Sequence, residues 1–164
     1  MSQCLARVMR YAVLATCLVV ATMLPTVALA QQTAERSAAY QVQTGDEWVD
    51  TWLRDINHYA ERYPDSFLDE VSRYAGVPRG YIAALVDTHG WQAADVYFAC
   101  FWAHAIERSC RDAVRAFNGN PEGGWEGVVE RLPVAPRREH WRAVREAILD
   151  SYRRWDRPIT PGAR

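Results

Sequence analysis

The stretch AADVYFACFWAHAI, residues 93–106, decides the fold because it is apolar around almost the whole circumference of the helix that it predicts. Its β-branched and aromatic residues would also suit a buried strand, but its length and its alanines favour a helix. A helix without a polar face has to be surrounded by other elements, since its apolar side chains cannot face water. We therefore expect residues 93–106 to form the central helix of the domain.

Amphipathic patterns before this stretch predict three helices that pack around it. Apolar residues recur there at spacings of three and four, which places them on one face of each helix. Capping boxes, prolines and glycines give the expected ends of these helices. The expected boundaries are a capping box at Thr44 and Glu47, a stop at Pro64, a second capping box at Ser66 and Asp69, a stop at Gly76, and a short helix from Pro78 to Gly90.

The pattern continues after the stretch with three further helices. Ser109 and Asp112 cap the first of them, and Trp125 to Leu132 form the second, which Pro133 ends. The last helix runs from about Pro136 to Arg157. Its apolar stripe consists of Trp141, Val144, Ile148, Tyr152 and Trp155. The chain therefore predicts an all-α domain, a compact array of six to seven short helices without an internal repeat.

The first thirty residues predict a secretory signal peptide. Two arginines precede an apolar run over residues 11–24, and the motif ALA, residues 28–30, follows it. The run is shorter than the ~20 residues that a membrane-spanning helix needs, and Ala-x-Ala is the pattern that signal peptidase cleaves. We expect cleavage between Ala30 and Gln31. An uncleaved membrane anchor and a lipoprotein modified at Cys17 are the alternatives.

These features divide the chain into four parts. Residues 1–30 are the signal peptide, and residues 31–45, which are polar and lack apolar periodicity, form a flexible leader. Residues 46–158 form the single helical domain, and residues 159–164 form a disordered tail. We expect the mature protein in the periplasm or outside the cell, without an integral membrane span.

Cys100 and Cys110 are the cysteines that remain after this cleavage. An exported protein enters an oxidising compartment, so an even pair of cysteines is expected to form a disulfide. Closing so short a loop contributes roughly 2 to 3 kcal/mol in the chain-entropy model. A catalytic cysteine and a metal site are the less favoured alternatives, because the spacing is not Cys-x-x-Cys.

The charged residues exclude several classes of protein. All 19 basic residues are arginine, and with 20 acidic residues the formal net charge is -1 at pH 7. A balance this close to zero argues against a dedicated nucleic-acid-binding domain. The absence of lysine excludes the phosphate-binding loop and every mechanism with a catalytic lysine.

The sequence contains no motif that identifies an enzyme, a metal site or a cofactor site, since it lacks Gly-x-Ser-x-Gly, His-Glu-x-x-His and Cys-x-x-Cys. We interpret His104 as a hydrogen-bonded core histidine, and His89 with Gly90 as the end of a helix. Glu107 and Glu122 could meet in a cleft and act on a glycan as paired acid and base, which no spacing would reveal.

The aromatic residues are the remaining signal of function. The chain has seven Trp, eight Tyr and four Phe, more than a core of this size easily hides. Exposed Trp, Tyr and Arg are the residue types that dominate binding surfaces. The end of the last helix is the best candidate, with Arg145, Arg153, Arg154 and Trp155 as partner-binding residues. The alternative is that its aromatic stripe simply packs against the domain.

Two segments carry a resemblance to a known group of proteins. The residues that carry it are GWEGVVERL at 124–132, Pro136, His140 with Trp141, DVYFAC at 95–100, and Cys110. They resemble small exported proteobacterial proteins of uncharacterised function with the segment Gly-Trp-Gly-x-Ile-Ala-x-x-Leu-Gly-Ile-x-Pro-Gly-Ser. The resemblance implies a small helical exported protein with a cysteine pair and supplies no activity. The chain departs from this pattern at Glu126 and Pro133.

Together these observations predict a non-catalytic exported protein that binds another envelope protein or the cell wall through an aromatic and arginine surface. We assign no catalytic residue, metal or cofactor. A small cell-wall hydrolase with paired carboxylates, and a periplasmic inhibitor or immunity protein, are the alternatives. A binding protein should expose a patch of rings and arginines without a deep polar cleft, whereas a hydrolase should gather titratable groups in a pocket.

The signal peptide leads to a first testable prediction. Native protein recovered from cells should begin at Gln31, and both thiols of Cys100 and Cys110 should be blocked against alkylation. Mass measurement of the intact chain, before and after alkylation, checks both points. A chain that begins at Met1 and carries four free thiols, those of its four cysteines, would show that the protein stays in the reducing cytosol.

Overall fold

The computed structural model describes residues 41–159, apart from the side chain of Glu122. This range is all-helical and contains no strand, which confirms the predicted fold class. Its α-helices are α1 (Glu47–Arg62), α2 (Pro64–Tyr74), α3 (Arg79–Ala83), α4 (Ala93–Ala105), α5 (Cys110–Gly119), α6 (Gly124–Arg131) and α7 (Arg138–Arg154). A π-helical segment (Ala84–Thr88) continues α3, and a 3-10 turn (Pro121–Gly123) precedes α6. The predicted signal peptide, the leader up to residue 40 and residues 160–164 lie outside the described residues.

Helix α4 is the centre of the domain, as its apolar circumference predicts. Every residue from Ala93 to Ala103 is buried. The helix packs against α1, α5 and α7, and more narrowly against α2. Its first turn is capped from outside, because the side-chain oxygen of Asn57 in α1 accepts the backbone N–H of Ala94 at 2.7 Å. A helix buried on all sides thus obtains even its terminal hydrogen bond from a neighbouring helix.

Two buried polar side chains of α4 connect it to the helices around it. Asp95 accepts the indole N–H of Trp125 in α6 at 2.7 Å. The hydroxyl of Tyr97 lies 2.8 Å from that of Ser151 in α7, and Ser151 donates to a carboxylate oxygen of Glu70 in α2 at 2.6 Å. An unpaired buried polar group costs about 1 to 3 kcal/mol. These contacts therefore select the arrangement of the helices that satisfies every one of these groups.

The cysteine pair lies at disulfide distance. The sulfurs of Cys100 and Cys110 are 2.03 Å apart, and both side chains are buried. The bond joins the buried half of α4 to the first residue of α5. The structure therefore places the two cysteines where the predicted disulfide can form.

The N-terminal caps of α1 and α5 show where local sequence signals succeed and fail. Ser109 caps α5 as predicted, and its hydroxyl accepts the backbone N–H of Asp112. The predicted capping box at Thr44 is wrong, because the N-cap of α1 is Asp46. The Thr44 hydroxyl instead donates to the carboxylate of Asp50 at 2.6 Å, a contact that holds the chain just before the helix.

The start of α2 also differs from the prediction. The helix begins at Pro64, with Tyr63 as its N-cap residue, so the predicted start at Ser66 is wrong. Proline suits the first helical position because its missing N–H would have no partner there. Ser66 lies inside the helix, and its hydroxyl is 2.8 Å from that of Tyr59. The predicted stop at Gly76 is confirmed by its positive φ of 67°.

The residues just before α1 are packed against the start of α6. Val42 and Thr44 are buried, and the backbone N–H of Glu126 donates to the carbonyl of Gln43 at 2.8 Å. Gly124 has a φ of 56°, and a Cβ at this position would lie 3.0 Å from the side chain of Gln43. The close approach and the positive φ both require glycine at position 124.

The buried tyrosines lead to a prediction about alkaline stability. Burial raises the pKa of Tyr97 and of Tyr152, whose hydroxyl donates to Asp55. In the unfolded chain both tyrosines ionise near pH 10, so the stability they contribute is fully present below that pH and is lost above it. We expect the free energy of unfolding to fall by about 1.4 kcal/mol per pH unit for each tyrosine above pH ~10.

Urea unfolding measured at several pH values across this range checks the expectation. Tyr97→Phe should reduce the alkaline slope by the contribution of one tyrosine, and Tyr63→Phe, which changes an exposed ring, should leave the slope as it is. Equal slopes for the wild type and Tyr97→Phe would contradict the argument.

Candidate functional site

Rings and guanidinium groups from α1, α2 and the end of α7 pack on one another. We call this cluster the ring-and-arginine patch; it comprises Tyr59, Tyr63, Tyr74, Arg154, Trp155 and Arg157. The rings of Tyr59 and Trp155 stack with centroids 3.9 Å apart, and Tyr63 lies 5.1 Å from Tyr59. The guanidinium of Arg154 lies 3.6 Å from the centre of the Tyr74 ring. Ring stacking and cation–π contacts of this kind hold the side chains of the patch in place.

Two rings of the patch are open to solvent. The side chains of Tyr63 and Tyr74 are 50% and 39% exposed, and they are the large apolar side chains that the described part of the chain exposes most. Trp155 is half-buried between Tyr59 and Tyr152. Single exposed rings are common on protein surfaces, but two beside a half-buried Trp and two arginines form the composition of a binding hot spot.

The structure separates the four residues that the sequence assigned to partner binding. Arg154 and Trp155 lie in the patch, and Arg153 directly precedes them. Arg145 lies nine residues before Arg154 on the same helix, which places it about 14 Å from Arg154 along the helix axis. It pairs with the N-cap residue Asp46 of α1 at 2.5 Å and therefore belongs to a different surface.

The arginines at this end of the domain are neutralised by acids of the same chain. Arg154 binds both carboxylate oxygens of Glu70, which is buried. Arg157 pairs with Asp55 at 3.1 Å, and Arg153 pairs with Asp150 one turn earlier. A guanidinium that already has a carboxylate partner offers little net charge to a ligand. A partner that binds the patch would therefore contact mainly aromatic rings and little net charge.

A polar cavity lies at the other end of α7, beside the end of α4. Its volume is about 670 Å³. The lining residues are Ala105, Ile106, Glu107, Arg108, Val134, Arg137, Glu139 and His140. His140 is buried, and its Nδ1 accepts the backbone N–H of Arg137 at 3.3 Å. The cavity gathers two carboxylates and a histidine, which is the arrangement that the hydrolase hypothesis requires.

The carboxylates in this cavity are only partly those that the sequence suggested. Glu107 lies in it, but its companion is Glu139, and the side chain of Glu122 lies outside the described residues. The interpretation of His104 as a core histidine is wrong, because His104 is exposed. It sits in the last turn of α4, where the helix leaves the core. His140 is the buried histidine, and its position in the first turn of an amphipathic helix gave no sign of it.

The described residues contain no group of three or more His, Cys, Asp or Glu side chains placed to hold a metal ion. None of the helices within residues 41–159 combines the length and the apolar character that crossing a membrane requires. Comparisons with protein-family models, with curated proteins and with solved structures found no match.

Glu107 generates a prediction about stability. Its φ is 57°, and it occupies the position after α4 where glycine is preferred. The backbone N–H groups of Glu107 and Arg108 donate back to His104 and Ala103, which closes the helix in this strained conformation. Because a Cβ is unfavourable in this conformation, Glu107→Gly should raise the free energy of unfolding by about 1 kcal/mol.

Chemical unfolding of the wild type, Glu107→Gly and Glu107→Ala checks this prediction. The alanine variant removes the carboxylate but keeps the Cβ, so it should not be stabilised. If both variants gained the same stability, the charge of Glu107 and not its backbone conformation would be the cause.

Proposed function

We propose that the protein is a non-catalytic, exported protein of the cell envelope that binds a protein partner through the ring-and-arginine patch. The observation that carries the proposal is the position of Tyr63 and Tyr74. These are the two most exposed rings of the described chain. Tyr63 packs on Tyr59 of the stacked pair of Tyr59 and Trp155, and Tyr74 lies under the guanidinium of Arg154, the neighbour of Trp155. A partner that covers these rings would bury apolar area without having to order flexible side chains, since stacking already holds them.

The charges of the patch favour a protein over an anionic polymer or a lipid surface. Binding to polyanions depends on free cations of the protein that displace the counterions condensed on the polymer. Arg153, Arg154 and Arg157 are each paired with a carboxylate of the chain itself. The ion pairs can instead accept and donate hydrogen bonds at the rim of an interface, around a centre of aromatic rings.

A small cell-wall hydrolase is the second candidate function, and one specific observation favours it. The polar cavity beside α4 and α7 brings Glu107, Glu139 and the buried His140 to one place. A carboxylic acid and a carboxylate on opposite sides of a glycosidic bond are the groups that hydrolysis of a glycan needs. The two functions use different ends of α7, so one set of variants separates them.

Quantitative affinity capture from envelope extracts tests the proposed function. Mature protein, residues 31–164, is immobilised, and recovered proteins are compared between the wild type and a Tyr63→Ala/Trp155→Ala variant. Truncating hot-spot rings costs about 2 kcal/mol or more, so the affinity for a specific partner should fall about thirtyfold or more. Trp155→Phe, which keeps a ring on Tyr59, should retain most of the binding.

The matched control changes a residue of α7 that lies outside the patch. Arg142→Ala removes an exposed arginine that pairs with Glu146, and the capture should be unchanged. A partner retained equally by all variants would overturn the assignment to the patch. Release of soluble wall fragments by the purified protein, lost in Glu107→Gln and unaffected by Tyr63→Ala/Trp155→Ala, would establish the hydrolase function instead.

A further inference from the structure

A second cavity, away from the patch and from the polar cavity, lies between the π-helical segment and α5. Its volume is about 360 Å³, within the range of small-molecule sites. The lining residues are Tyr81, Ala84, Leu85, His89, Trp91, Val114 and Asn118. Tyr81 and Trp91 supply two aromatic rings, and Asn118 supplies an amide that can both donate and accept hydrogen bonds. Neither candidate function described above uses these residues.

The π-helical segment forms one wall of this cavity. Ala84 and Leu85 belong to the segment, and the backbone N–H of His89 donates to the carbonyl of Ala84 five residues earlier. A π-helical turn is rare in proteins and occurs frequently at functional sites. Trp91 follows directly, and its ring contacts Phe117 of α5 with centroids 5.2 Å apart.

No acid lines the cavity, and one arginine that forms no ion pair with the described residues lies against one of its lining rings. The guanidinium of Arg111 lies 4.8 Å from the centre of the Tyr81 ring. Burial raises the pKa of Tyr81, and the charges of Arg111 and Arg115 act against that rise. Arg115 is paired with Asp112, but none of the ion pairs in the described part of the chain includes Arg111 or His89.

The arginine beside this cavity differs from the arginines at the end of α7 in what it contacts. The arginines at the end of α7 are paired with carboxylates of the chain, whereas Arg111 lies on the ring of Tyr81, beside the cavity, and none of the ion pairs among the described residues includes it. A guanidinium binds a carboxylate in a bidentate manner, and flat rings accept the face of another ring. We propose that this cavity binds a small molecule with one carboxylate attached to a six-membered ring.

Two sources share this chemistry, an aromatic acid and an acidic sugar, and saturation-transfer NMR distinguishes them. The probes are benzoate and glucuronate, each compared with its uncharged counterpart, benzamide and methyl glucoside. At least one of the two anions should bind the mature protein. Its uncharged counterpart should bind about tenfold more weakly or not at all, because a charge-assisted hydrogen bond contributes that much affinity.

Substitutions of residues in and beside the cavity test whether the anion binds there. Arg111→Gln should weaken binding of the anion about tenfold, and Asn118→Ala should weaken it less. Both side chains are exposed, so the fold should persist, which circular dichroism verifies. Arg54→Gln, a change of an exposed arginine on α1, serves as the control and should leave the affinity unchanged.

Three results would overturn the proposal: no saturation transfer to either anion, equal binding of an anion and its uncharged counterpart, or undiminished binding by Arg111→Gln. Binding of benzoate alone assigns the site to aromatic acids, and binding of glucuronate alone assigns it to acidic sugars. The patch variants Tyr63→Ala/Trp155→Ala should bind the probe normally, because their rings lie at a different end of the domain.

Discussion

The burial of α4 on every side is the constraint on which the rest of the structure depends. A helix in this position cannot turn its polar groups toward water; three of its groups are paired with particular neighbours, whereas the buried indole N–H of Trp102 has no hydrogen-bond partner among the described residues. Asn57 serves the first turn, Trp125 donates to Asp95, and Ser151 connects Tyr97 to Glu70. The apolar side chains of α4 would accept several packings of similar burial. The hydrogen bonds choose among them, and they bring the ends of α1, α2 and α7 together.

This arrangement explains which parts of the fold could be predicted. The prediction succeeded where the local sequence pattern was strong, and it failed where a residue formed a tertiary contact instead of the expected local one. The apolar circumference of residues 93–106 predicted the central helix, and Ser109 and Gly76 acted as the sequence suggested. Thr44 did not cap α1, because its hydroxyl found Asp50 six residues later. The π-helical segment could not be predicted, since a π turn differs from an α turn by one residue and leaves no periodicity of its own.

The sequence predicted which residue types form the candidate site, but not that its arginines would be paired with acids of the same chain. A run of arginines around Trp155 suggested a basic surface, but Glu70 and Asp55 reach Arg154 and Arg157 from more than eighty residues away. Such pairs depend on how α1 and α2 pack against α7, and no spacing within α7 reveals them. The rings behave differently, because stacking of Tyr59 on Trp155 requires only that two amphipathic helices bring their aromatic stripes to the same end.

The distribution of paired and unpaired arginines follows from the same packing. Where two or three helices converge, as at the end of α7, an arginine lies within reach of acids on the neighbouring helices and loses its net charge. Arg111 lies near the start of α5, beside the cavity, whose lining residues carry no carboxylate. Its guanidinium rests on Tyr81 instead. A cation held by a ring keeps its charge and most of its donors, and the proposed binding of an anion at this cavity rests on that property.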